Sequence, residues 1–114
     1  MPIRLSAAIA VLVMLSAVPV AEACSASWYG AAHHGRTMAN GRAFNMHALT
    51  AAHRTYAVGT RVRVTLGGRS VVVTITDRGP ASWTGRCIDL SRGAAEQLGM
   101  IRRGVANVTI TRIN

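Results

Sequence analysis

The chain is 114 residues long and carries 13 basic side chains against 4 acidic ones, for a formal net charge of +9. Every basic residue is arginine and only five aromatic residues of the Phe, Trp and Tyr types are present, which limits the chain to one small core. Four acids (Glu22, Asp77, Asp89 and Glu96) exclude chemistry that needs a large carboxylate cluster, and the surplus of guanidinium groups suits an anionic partner.

The N-terminus has the pattern of an export signal. Arg4 precedes an apolar run from Leu5 to Val20, Pro19 breaks the end of that run, and Ala21-Glu22-Ala23 supplies a small-x-small cleavage pattern before Cys24. The run falls short of the roughly 20 apolar residues that a membrane span needs. Residues 1–23 are therefore expected to be a signal peptide, and residues 24–114 the working domain, periplasmic or secreted. Cys24 stands where a lipoprotein cysteine would, but Glu22 fits poorly two positions before it, so no stable membrane anchor is expected. Removing Arg4 and Glu22 leaves the net charge at +9. In an oxidising compartment Cys24 and Cys87 are expected to pair. The bridge would close a loop of about 64 residues and contribute on the order of 4 kcal/mol by the chain-entropy argument.

Residues 25–46 are rich in Gly, Ala, His and Asn and predict a short strand, Ala26 to Tyr29, followed by loops. From Arg61 the pattern turns to strands: Val62 and Val64 alternate with Arg61, Arg63 and Thr65. Gly67-Gly68 is a hairpin turn, and Ser70 to Thr76, β-branched almost throughout, is the partner strand. It ends at Asp77-Arg78-Gly79-Pro80. Ile88-Asp89-Leu90 is another short strand, Ser91 caps a helix running through Leu98, and Gly99 stops it. A last strand runs from Ala106 to Ile113. Short strands, many turns and one helix predict a mainly β domain, a small closed barrel.

With so few acids, carboxylate chemistry rests on Asp77 and Asp89, because Glu96 on the helix reads as a solvated or ion-paired surface residue. Asp77 ends a buried strand at a sharp turn, where a rigid scaffold can present a group to a cleft; a turn-forming role fits the position equally well. Asp89 reads as an anchor for the loop before Ser91. His33, His34, His47 and His53 lack metal-ligand spacing, and no phosphate-binding glycine loop is present, so neither metal nor other cofactor is expected. Trp28, Tyr29 and Trp83 offer rings for stacking on sugars or for ordinary packing.

Seven segments occur in a telling order: Ala26-Ser27-Trp28-Tyr29-Gly30, His34-Gly35-Arg36, Met38-Ala39-Asn40-Gly41, Ala48 to Thr55, Gly59 to Val64, Asp77-Arg78-Gly79-Pro80 and Ile88-Asp89-Leu90-Ser91. Together they resemble the rare lipoprotein A (RlpA) family across nearly the whole of residues 24–114. The resemblance implies a six-stranded double-psi β-barrel with one short helix, shared with expansins. It also implies action on peptidoglycan glycan strands, preferentially peptide-stripped ones, as an endolytic lytic transglycosylase. Such an enzyme cleaves MurNAc-GlcNAc linkages to 1,6-anhydro products. Carried over position by position, the family's catalytic Asp falls on Asp77 and its active-site His on His53. Trp28, Tyr29, Asn40, Arg42 and Arg78 would line the substrate groove.

One departure stands out. The family's Ala-Asn-Gly is usually followed by a functional Glu, and here that position is Arg42. A cation there removes a proton donor and would pull down the pKa of a nearby carboxyl. Acids are also few, with Asp77 and Asp89 the carboxylates left for such chemistry. These features leave a second expectation open, a non-catalytic, expansin-like wall-binding protein. In either case the domain is expected to be a monomer that meets glycan, with no specific nucleic-acid partner.

Overall fold

The computed structural model describes residues 19–114. Residues 1–18, most of the expected signal peptide, lie outside the described residues. The strands are β1 (Ala21–Tyr29), β2 (Thr50–His53), β3 (Arg61–Leu66), β4 (Arg69–Asp77), β5 (Ile88–Ser91) and β6 (Val105–Arg112), with one helix, α1 (Arg92–Leu98). They close into a barrel of order β1-β5-β2-β4-β3-β6. Two pairs are parallel, β1 with β5 and β2 with β4, and the other four are antiparallel. The mainly β, six-stranded barrel with one helix agrees with the sequence expectation.

Alternation explains the core. On β3 and β4, Val62, Val64, Val71, Val73 and Ile75 point inward and are buried, while Arg61 and Arg63 face water. Ile88, Leu90, Val108 and Ile110 complete the interior. Gly67, at φ 57°, makes the turn between β3 and β4 in the left-handed region that a side chain resists. Helix α1 starts at Ser91, whose hydroxyl accepts from the Ala94 N–H, and ends at Gly99 with φ 70°. Ala94, Ala95 and Leu98 bury its inner face, and Arg92 pairs with Glu96 on the outer one at 3.0 Å.

The expected and observed elements differ in two places. β2 stands where no strand was expected, because Thr50-Ala51-Ala52-His53 has little β-propensity of its own. Its lack of bulk is explained by position: it lies between β4 and β5, where Ala51 and Ala52 are buried. β1 is also longer than expected. Ala21, Glu22 and Ala23 pair with Thr111, Ile110 and Thr109, so the strand begins ahead of the expected boundary at Cys24. Cys24 and Cys87 form a disulfide, with Cα atoms 5.7 Å apart, tying β1 to the segment entering β5.

Candidate active site

The site is assembled by strand register. Across the β4-β2-β5-β1 part of the barrel, Asp77 is level with Ala52, Ala52 with Asp89, and Asp89 with Ser27. The next residues along, Ile75 with Ala51 and Ala51 with Leu90, are the inward-facing ones. Asp77, Ala52, Asp89 and Ser27 therefore share the outer face. Two strand spacings put the Asp77 and Asp89 backbones about 10 Å apart, and between them β2 contributes only the methyl group of Ala52. A register shift between Ala51 and Ala52 is decisive, since it brings Asp77 rather than Thr76 opposite Ala52.

The two carboxylates are held differently. Asp77 Oδ1 accepts the backbone N–H groups of Ala39 at 3.0 Å and of Arg78 at 2.9 Å. It thereby docks the 36–44 loop onto the end of β4, helped by Asn40 N–H donating to the Thr76 carbonyl. Asp89 Oδ1 accepts from the Ser27 hydroxyl at 2.9 Å. Burial pushes the Asp89 carboxyl above its ordinary value and the Asp77 charge acts in the same direction, against the Ser27 hydrogen bond, Arg86 and His33. The sequence reading of Asp89 as a loop anchor missed this; its spacing from Asp77 carried no signal until the strands were paired.

Tyr29 lies two residues beyond Ser27 on the same face. Its ring is stacked on Phe44 at 4.4 Å between centroids and meets the exposed His33 edge-on at 5.6 Å. The Tyr29 hydroxyl is buried and has no hydrogen-bond partner among the described residues. Burial, with the charges of Asp77 and Asp89, raises its pKa far above the usual phenol value, so it remains a proton-bearing donor. The Tyr29 hydroxyl thus lies within the electrostatic reach of both carboxylates.

The other expected residues are employed elsewhere. His53 pairs with Ile88 and so points to the opposite side of β2 from Asp77 and Asp89. Its Nδ1 accepts the N–H groups of Thr55 at 3.2 Å and Tyr56 at 3.1 Å, and its ring lies 3.7 Å from that of Tyr56. Burial depresses the His53 pKa, and the Arg54 and Arg78 charges depress it further against the opposing effect of Glu22. Arg78 Nη1 donates to the carbonyls of His53 and Tyr56, bracing the same turn. Trp28 packs on the core and donates its indole N–H to the Ile101 carbonyl at 3.3 Å. Asn40 Oδ1 accepts the Arg42 N–H at 2.9 Å, and Arg42 itself is exposed at the tip of the docked loop. The charges that act on Asp89 are those of Arg86, His33 and Asp77. No group of three or more His, Cys, Asp or Glu side chains suited to a metal ion occurs among the described residues.

The sequence matches the profile of the lytic transglycolase family over residues 21–110. The chain belongs to that family. It is RlpA-like: it is 59% identical over 87 residues to the probable endolytic peptidoglycan transglycosylase RlpA of Synechocystis sp., covering 75% of this chain and 27% of that protein. It is 45% identical over 91 residues to the endolytic peptidoglycan transglycosylase RlpA of Neisseria meningitidis serogroup A, covering 78% of this chain and 38% of that one. The chain thus spans well under half the length of these curated relatives. Among solved structures, the fold is similar to that of the Streptomyces papain inhibitor, with a TM-score of 0.66 at 23% identity over 83% of this chain and 96% of the other. A Clavibacter michiganensis expansin superposes with a TM-score of 0.65 at 23% identity, over 83% of this chain and 51% of the other. These structures establish the double-psi barrel fold for the family member described here.

Proposed function

We propose that this domain binds the glycan strand of peptidoglycan across the Tyr29–Asp77–Asp89 face and cleaves it as an endolytic lytic transglycosylase. One observation carries the reading: a half-buried carboxyl with a raised pKa, Asp89, stands level with a second carboxylate and beside an unpartnered phenol, in a family of lytic transglycolases. Asp89 supplies the proton. It passes to the glycosidic oxygen as the bond from MurNAc C1 breaks and GlcNAc leaves with a free hydroxyl. The Asp89 carboxylate then takes the proton of the muramoyl C6 hydroxyl as that oxygen closes on C1, giving the 1,6-anhydro ring. The Asp77 charge adds to the burial that raises the Asp89 pKa, and Asp77 faces the cationic character that develops at C1. Tyr29 donates to a substrate oxygen. The sequence assigned the donor to Asp77; burial favours Asp89 for that step, with Asp77 as its partner.

The surplus of arginine suits the lactyl carboxylate that peptide-stripped strands expose. Export, with cleavage between Ala23 and Cys24 and action in the periplasm or beyond, belongs to the same reading. The support is the cleavage pattern in the sequence and the disulfide that the fold accommodates.

The test is incubation of the oxidised protein with peptide-stripped peptidoglycan, with released products read by mass spectrometry. Anhydro-muramyl products are expected, falling about 100-fold or more in Asp89→Asn and in Asp77→Asn. The non-catalytic alternative is favoured by Arg42, which occupies the loop docked on Asp77. Retained pull-down on the glycan with no released product would select it.

A further inference from the structure

The loop joining β4 to β5 begins immediately after Asp77 and ends just before Asp89, and at its tip stands Trp83 with 88% of its surface exposed. It is the large hydrophobic residue most exposed to water among the described residues. A mobile loop would explain such an indole cheaply, but this loop is held at many points. Arg54 Nη1 donates to the Pro80 carbonyl at 3.0 Å and to the Arg86 carbonyl at 2.6 Å, clamping the two limbs together. Between them Ser82–Thr84 forms a single 3-10 turn, closed by Thr84 N–H and hydroxyl donating to the Ala81 carbonyl. Arg86 N–H donates to the Thr84 hydroxyl, and Cys87 is fixed by its N–H bond to Ser25 and by the disulfide. The indole is therefore presented on a fixed support.

The loop also belongs electrostatically to the candidate site, because the Arg86 charge acts on Asp89. Trp83 lies midway in sequence between the two carboxylates, so chain length alone keeps it within about 20 Å of either. We infer that Trp83 is a sugar-stacking platform outside the Tyr29–Asp77–Asp89 face, which engages a pyranose of the same glycan strand some residues from the scissile bond. This rests on the reading that the substrate is a glycan. A pyranose presents a face of C–H groups that covers an indole well, whereas its hydroxyl rim stays in water, which matches a ring exposed on a polar loop. A ligand spanning both places must be several sugars long, so the platform confers a preference for long strands. Binding energy won at a distance from the reacting centre also holds the strand in register over the carboxylates.

The experiment compares wild type, Trp83→Ala and Trp83→Phe, using long peptide-stripped glycan strands and disaccharide fragments of the same material. Binding is read by isothermal calorimetry at high ionic strength, where arginine contacts with the substrate are screened. Trp83→Ala is expected to weaken binding of long strands about 10-fold, leave disaccharide binding unchanged and leave thermal stability unchanged, because the side chain is exposed. Trp83→Phe is expected to recover most of the loss. Equal binding of long strands by wild type and Trp83→Ala overturns the inference while leaving the glycan reading intact. Absence of glycan binding by wild type overturns both. A wild-type indole emission shift on phosphatidylglycerol vesicles, together with glycan binding that ignores Trp83, would assign the residue to a lipid surface instead.

Discussion

His53 and Asp89 show how one backbone position decides what a titratable side chain does. The two face opposite sides of the barrel wall, and each carries a pKa shifted by burial. For His53, Nδ1 holds two backbone N–H groups, so a proton there breaks both bonds. Its depressed pKa means that the folded state binds fewer protons than the unfolded state. The stability it contributes is whole above its ordinary value of 6.5 and is lost as the pH falls below that. His53→Ala is expected to cost about 1–3 kcal/mol in urea unfolding at neutral pH. His53→Asn, whose side-chain oxygen can accept in the same place, is expected to recover most of that and to restore glycan release with it. A catalytic imidazole would give the opposite split, stability recovered and activity still lost. For Asp89 the sign reverses. Its raised pKa means that the folded state holds its proton longer, so stability falls as the pH rises through the window above the ordinary carboxylate value. Asp89→Asn is therefore expected to melt a few degrees higher than wild type at pH 7. That advantage is expected to disappear at pH 3, where both forms are neutral.

Among the elements, α1 is short, and its first turn depends on contacts that no helix propensity describes. The Ser91 hydroxyl donates to the Ala48 carbonyl at 2.6 Å and accepts from the N–H groups of Thr50 and Ala94, joining the cap to the start of β2. Gly93 follows, donating its N–H to the Met46 carbonyl at 2.8 Å. A Cβ on Gly93 would stand 2.5 Å from the His47 carbonyl oxygen. In an exposed helix Gly→Ala stabilises by roughly 1 kcal/mol. Here the backbone contact reverses the sign, and Gly93→Ala is expected to cost about 2–3 kcal/mol in a denaturant titration. The docked 36–44 loop is the second element on which the site depends. Its bonds to Asp77 and Thr76 carry Arg42 to the rim, where the sequence resemblance expected an acid. Arg42→Glu is accordingly expected to raise product release several-fold without changing thermal stability, since the side chain is exposed.

At the scale of the molecule, a closed barrel leaves few local contacts to stabilise any strand alone, and the disulfide links two distant parts of the chain. Reducing Cys24–Cys87, which spans a sequence separation of 63, is expected to lower the unfolding free energy by about 4 kcal/mol. β1 supplies a related test. Its first three residues pair with β6 ahead of the expected cleavage point, so a chain starting at Ala21 should exceed one starting at Cys24 by on the order of 1 kcal/mol. With the bridge intact the difference is expected to be smallest, because the disulfide fixes the shortened strand at its new end.

Much of this was legible from the residues in order. Alternating valines set β3 and β4, Gly67-Gly68 turned the hairpin, Ser91 and Gly99 bounded the helix, and two cysteines after an expected export signal announced their bond. Each of those signals is local, or rests on counting. β2 was invisible because alanines are chosen there for the space between two neighbouring strands rather than for strand propensity. The pairing of Asp77 with Asp89 was equally hidden. It exists because one register shift turns Asp77 to the outer face, while the strict alternation of β2 turns His53 away from it. The amino-acid sequence by itself determined the class of fold and the family. Which carboxylates share a face was decided only in the tertiary structure, because a one-residue shift between segments far apart in the chain exchanges inside for outside and leaves no mark on either segment alone.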